Sequence, residues 1–129
     1  MESLSSHKKG VALIILGQIE SAILRLQERT EKIESVDDFL MSPGGMEKLD
    51  AACMLLIAIG ESLKNLDKVT DKKLLSTYPS IPWSDVIGIR DVIAHHYFHI
   101  DADAIFQVVH YELGALLKAI HFFVSLLKS

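Results

Sequence analysis

The chain has a single cysteine, Cys53, in 129 residues, so no internal disulfide can form, and a reducing, cytoplasmic setting is expected. It has no excess of positive charge. Thirteen basic residues against seventeen acidic ones give a net charge of −4, which excludes a broad basic footprint for nucleic acid. Any contact with nucleic acid must then be local and made by a few residues in a cleft. No uninterrupted apolar run approaches the ~18 residues of a membrane span, and no membrane role is expected. The apolar run Val11 to Leu16 follows Lys8-Lys9-Gly10 much as the core of a signal peptide would. It has no small-residue cleavage site after it, and Glu20, Arg25, Glu28 and Arg29 continue an amphipathic helix, so mature protein is expected there. Strand-type alternation, internal repeats and low-complexity segments are missing too. So are HExxH and paired cysteines. His95, His96, His99, Asp101 and Asp103 put donors near one another, but with neither motif no metal and no cofactor is expected.

What is there is apolar. Half of the residues are hydrophobic and 23% are charged, a rich core for one domain spanning 1–129, with apolar surface to spare for a partner. From Leu4 to Ile33, Val11, Ile15, Ile19, Ala22, Ile23, Leu26 and Ile33 recur at three- and four-residue steps, as one face of a helix requires. Ser35 to Met41 reads as a connector with a short helical piece. Ser42-Pro43 then offers an N-cap followed by proline at the first helical position. The second long helix, from about Gly44 to Leu66, carries the stripe Leu49, Cys53, Leu56, Gly60 and Leu63, widened by Ala52, Leu55, Ile59 and Leu66. Cys53 reads there as a small buried hydrophobe. A short helix is expected to start at Thr70-Asp71-Lys72-Lys73 and to stop before Pro79 and Pro82. Pro82 is then expected to open a further helix, and Asp101 to cap a last one running to about Lys128. His7 is expected in solvent, and His110 and His121 partly buried at a bundle edge. The pattern predicts an all-α bundle of four main helices.

The eight residues Arg90-Asp91-Val92-Ile93-Ala94-His95-His96-Tyr97 bring together a phosphate-grade cation, a titratable base and a phenol. Arg90 and His95 are five apart, so on one regular helix they diverge by ~140° and lie ~7.5 Å apart along the axis. Either the helix distorts near His95 or a second subunit completes a site. Asp91 and His95, four apart, can touch, and a carboxylate there would hold the imidazole. His96 points ~100° from His95, so the two do not serve one phosphate within a chain. These side chains suit cleavage of an RNA phosphodiester by its own 2′-hydroxyl. Histidine moves the proton near neutral pH, and a guanidinium stabilises the charge that builds on the phosphoryl oxygens. DNA lacks that nucleophile and would not be cut.

The signature sits in a wider context: Pro82-Trp83 before it, Gly88-Ile89 leading into Arg90, Tyr97-Phe98 and Asp101 after it, and Ile59-Gly60-Glu61 in the second helix. Together these resemble the HepT-like branch of the HEPN toxin family across nearly the whole chain. The resemblance implies a HEPN-type bundle of four to five helices that dimerises, with the signature helices facing each other across a composite ribonuclease cleft. It implies catalytic roles for Arg90 and His95, with Asp91, Glu61 and His96 as supporting polar groups. His96 departs from the glutamate or aspartate common at that place. It further implies an endoribonuclease toxin of a type II/VII-like toxin–antitoxin module. An MNT-type nucleotidyltransferase antitoxin would neutralise it by moving AMP from ATP onto Tyr97. The alternative is a non-catalytic helical module that is only the partner's substrate. Without the resemblance, Trp83 and Phe98 read as packing aromatics, Glu61 as an exposed helical glutamate, and Tyr97 as a buried tyrosine.

Overall fold

The computed structural model describes residues 3–129, and the side chain of Tyr97 lies outside the described set. Six α-helices follow one another, with no strand among the described residues: α1 (Ser6–Thr30), α2 (Val36–Leu40), α3 (Pro43–Val69), α4 (Trp83–His95), α5 (Ala102–Gln107) and α6 (Leu113–Lys128). The all-α expectation is met.

Helix α1 begins where the Ser5 side chain accepts from the Lys8 backbone N–H at 3.1 Å. Its stripe Ala12, Ile15, Leu16, Ile19, Ile23 and Leu26 is buried in the core against α3 and α6. Although no unbroken apolar run is long enough, α1 as a whole is long and apolar enough to cross a membrane, with a mean hydropathy of 1.4 over its best window. Burial of that stripe gives the apolar residues a role inside the bundle.

The connector holds α2, opened where the Asp38 carboxylate accepts from the Glu34 and Ser35 backbone N–H groups at 2.8 and 3.2 Å, and Phe39 from it is fully buried. Gly45, at the start of α3, lies so close to α2 that a Cβ there would sit 2.1 Å from the Asp38 carbonyl oxygen. Only glycine fits. Ser42 caps α3 as expected, accepting from the Gly45 N–H at 2.9 Å, and Pro43 is its first residue.

Two expected boundaries shift. Thr70 does not start a helix. It closes α3, its hydroxyl donating to the Leu66 carbonyl at 2.8 Å, and Asp71 and Lys72 then turn the chain through left-handed φ values of 57° and 61°. Only a single 3₁₀ turn, Leu75–Thr77, follows. Pro82 is the N-cap of α4 rather than its first helical residue, which is Trp83. Asp101 does cap α5, accepting from the Ala104 N–H at 3.1 Å. The expected single last helix is broken into α5 and α6 by a π-helical turn, Val108–Glu112. His110 and His121 are both exposed, His121 beside Glu20 at 2.7 Å, rather than partly buried.

Candidate active site

Helix α4 is held at two places. At its start, the half-buried Trp83 donates its indole N–H to the Tyr78 carbonyl at 2.9 Å and packs on Phe123 of α6, ring centres 5.5 Å apart. Tyr78 packs edge-on against the same Phe123. The Pro-Trp lead-in therefore pins the signature helix to the closing helix. In its middle, α4 crosses α3 at Gly60. A Cβ at that position would lie 3.2 Å from both the Arg90 Cβ and the Ile87 carbonyl oxygen. The bare glycine lets the two helix backbones approach.

That approach delivers Arg90 to Glu61. Arg90 Nη1 donates to Glu61 Oε1 in an ion pair, and Nη2 lies 3.8 Å from the Asp91 carboxylate. The Arg90 side chain is only 17% exposed, whereas that of Glu61 is 56% exposed. The Nε donor of Arg90 is buried without a hydrogen-bond partner among the described residues, so the guanidinium is not fully satisfied. Glu61 is thus no idle surface glutamate. The Ile-Gly-Glu segment acts as a unit, in which glycine admits the helix and glutamate grips the arginine.

His95 is the last residue of α4 and is exposed. Its Nδ1 lies 2.8 Å from the backbone carbonyl oxygen of Asp91. A carbonyl can only accept, so Nδ1 carries the proton, and in the neutral ring Nε2 holds a lone pair. The expected helper was the Asp91 carboxylate. The structure uses the Asp91 backbone instead, and its carboxylate leans toward Arg90. Because α4 stays helical through His95, Arg90 turns inward to α3 while His95 faces solvent. One chain does not bring the two side chains together. His96 is the C-cap, with φ −117° and ψ 30°, and is exposed. The proposed acceptor Tyr97 starts a 3₁₀ turn with Phe98 and His99, and its side chain lies outside the described residues.

On another face of α4 lies a groove of about 650 Å³ that the sequence did not announce. Asp85, Gly88, Ile89 and Val92 of α4 form one wall, and Val108, Tyr111 and Glu112 of the π turn face them. Leu56 and Ile59 of α3 also line it, and its lining is mostly apolar. Val92 and Tyr111 stand 60% and 66% exposed beside it. A π turn inside a helix often marks a functional surface, and no period-based reading of the sequence finds one. Cys53 is buried, and burial pushes its thiol pKa up to about 11, with Asp50 adding to the effect. Such a thiol is unreactive. Among the described residues no three His, Cys, Asp or Glu side chains gather as a metal site would need.

Residues 19–122 match the family described as ribonuclease HepT-like. The chain is similar to the protein described as probable ribonuclease HepT of Thermococcus cleftensis, 32% identical over 101 residues, covering 78% of this chain and 84% of that one. A candidate RNase of Caldanaerobacter subterraneus subsp. tengcongensis is 32% identical over 95 residues, 74% of this chain and 78% of its own. A candidate RNase of Methanocaldococcus jannaschii is 37% identical over 54 residues, 42% of this chain and 41% of its own. Against this protein and two more from the same organism, the chain spans about half of the relative's length. No solved structure matches the chain.

Proposed function

This chain belongs to the HepT-like ribonuclease family, and on that premise we propose that it is an endoribonuclease toxin whose reaction needs no metal. The observation that carries the reading is the pair of fixed groups on α4. Arg90 is set by Gly60 and Glu61, and His95 is held by the Asp91 carbonyl with Nε2 left to move a proton. In the reaction, Nε2 takes the proton of an RNA 2′-hydroxyl as its oxygen attacks the adjacent phosphorus. The bond to the 5′-oxygen breaks, that oxygen takes a proton from water, the imidazolium gives its own back to solvent, and a 2′,3′-cyclic phosphate remains. Arg90 stabilises the charge on the non-bridging oxygens. The substrate supplies the nucleophile, so no enzyme nucleophile is required.

The divergence of Arg90 and His95 supports a homodimer in which a second copy completes each cleft. The mostly apolar groove beside α4 offers surface for that association. Neutralisation by a nucleotidyltransferase antitoxin that transfers AMP to Tyr97 is part of the same proposal. A bulky, charged nucleotide one residue beyond His96 would exclude RNA by sterics and like charge. Expression in cells tests the reading. Arg90→Ala and His95→Ala should each abolish growth inhibition while the purified proteins keep their helicity and assembly state. Tyr97→Phe should stay toxic in the presence of the nucleotidyltransferase. Toxicity retained in both the Arg90 and the His95 variants would overturn the reading in favour of a non-catalytic module docking on the nucleotidyltransferase.

A further inference from the structure

The chain is acidic as a whole, yet its charge is unevenly placed. Six of its ten lysines, Lys8, Lys9, Lys64, Lys68, Lys72 and Lys73, lie at the end of the bundle where α3 closes and α1 begins. The Lys8 ammonium, 2.8 Å from the Asp71 carboxylate, ties these two segments together, and it holds that carboxyl below the usual carboxylate range. Within this region, a shallow depression of about 450 Å³ runs along the last turns of α3, lined by Glu61, Ser62, Lys64, Asn65 and Lys68. Residues 61, 64, 65 and 68 share one helix face. The only carboxylate in the lining is Glu61, which is engaged by Arg90. Both lysines are exposed, and among the described residues neither forms an ion pair. The depression therefore starts where the Arg90 guanidinium ends and continues as two ammonium groups with a neutral amide between them.

We infer that this track on α3 is a subsite for the backbone phosphates of the RNA, with Lys64 and Lys68 contacting phosphates next to the one held at Arg90. The inference rests on the ribonuclease reading of the site. Anions are repelled by the acidic remainder of the surface and drawn to this strip, so a few lysines suffice where a broad basic face is lacking. Ammonium contacts to phosphate carry no base information, so the subsite gives affinity and register without sequence preference.

The test uses unmodified protein and a fluorescent single-stranded oligoribonucleotide whose 2′-hydroxyls are methylated, so that it binds without being cut. Binding is measured across a salt series for the wild type, for Lys64→Ala/Lys68→Ala, and for Lys32→Ala/Lys48→Ala as a control on other exposed surface. The Lys64/Lys68 variant should bind more weakly to every oligonucleotide sequence, with a log–log salt slope shallower by about 1.4, as two lost single-strand contacts require. On cleavable RNA its KM should rise with kcat unchanged, because binding common to ground and transition states is lost. The control pair should behave as wild type. Wild-type affinity and slope in the Lys64/Lys68 variant, with cleavage intact, would overturn the subsite and leave the ribonuclease reading standing. A wild-type protein that neither binds the probe nor cleaves RNA would overturn both.

Discussion

Gly60 of α3 and Arg90 of α4 are in backbone-level contact: a single added methyl at position 60 would lie 3.2 Å from the Arg90 Cβ. The same methyl would lie 3.2 Å from the Ile87 carbonyl oxygen, so neither neighbour is the yielding tip of a flexible side chain. The α4 backbone around Ile87 and Arg90 must give by a few tenths of an ångström to accept it.

Two opposing effects set the outcome of Gly60→Ala. Removing a mid-helix glycine stabilises by about 1 kcal/mol, and overpacking the crossing costs about 1–3 kcal/mol. Global stability should therefore change little, whereas Arg90 shifts relative to its cleft. The expected result is a thermal midpoint within a few degrees of wild type and RNA cleavage reduced about 10-fold or more. Full activity in this variant would show that the close approach does not position the arginine.

Glu61→Gln keeps the shape and removes the charge that holds Arg90. Glu61 is more than half exposed, so the lost pair should cost no more than about 1 kcal/mol in denaturant unfolding. The single-turnover cleavage rate should fall by more than that cost explains, because the guanidinium loses its fixed orientation. An unchanged rate would make Glu61 a purely structural partner.

Phe123 is fully buried and carries both Tyr78 and Trp83, so it joins core packing to the anchoring of α4. Phe123→Ala should cost about 3–5 kcal/mol, read as a shifted urea midpoint. Phe123→Leu should cost less and keep helicity. If the anchor matters, it should still lower cleavage at temperatures where the protein remains folded.

Cys53 ionises only near pH 11 in the folded chain, against an ordinary value of 9.0. The neutral thiol is thus the form the fold favours. Its contribution to stability is fully present below pH 9 and is lost as pH rises through about 11. Native protein should resist thiol-reactive dyes at pH 8 and label fully once unfolded in guanidinium. Rapid native labelling would contradict the burial.

The long helices were legible because their stripes repeat at the helical period and their caps are local. Ser42-Pro43 and Asp101 needed nothing distant to be read. The turn after α3 was misread because Thr70-Asp71 looks like a helix start in isolation. Only the Thr70 hydroxyl bonding back to Leu66, with two left-handed residues after it, shows an ending. The site was legible in its residue types and not in its wiring. Sequence spacing suggested that Asp91 meets His95, and it does, but through its carbonyl. The role of Gly60 depends on an inter-helix distance that no single-chain periodicity carries. The π turn and its groove shift the register within an otherwise regular apolar pattern, so the stripe alone conceals them.

The most direct test is to incubate purified protein, shown by intact mass to carry no nucleotide, with RNA in excess chelator beside His95→Ala. The account predicts fragments ending in 2′,3′-cyclic phosphate from the wild type and none from the variant. Intact RNA with the wild type, or equal cleavage by the variant, would contradict it.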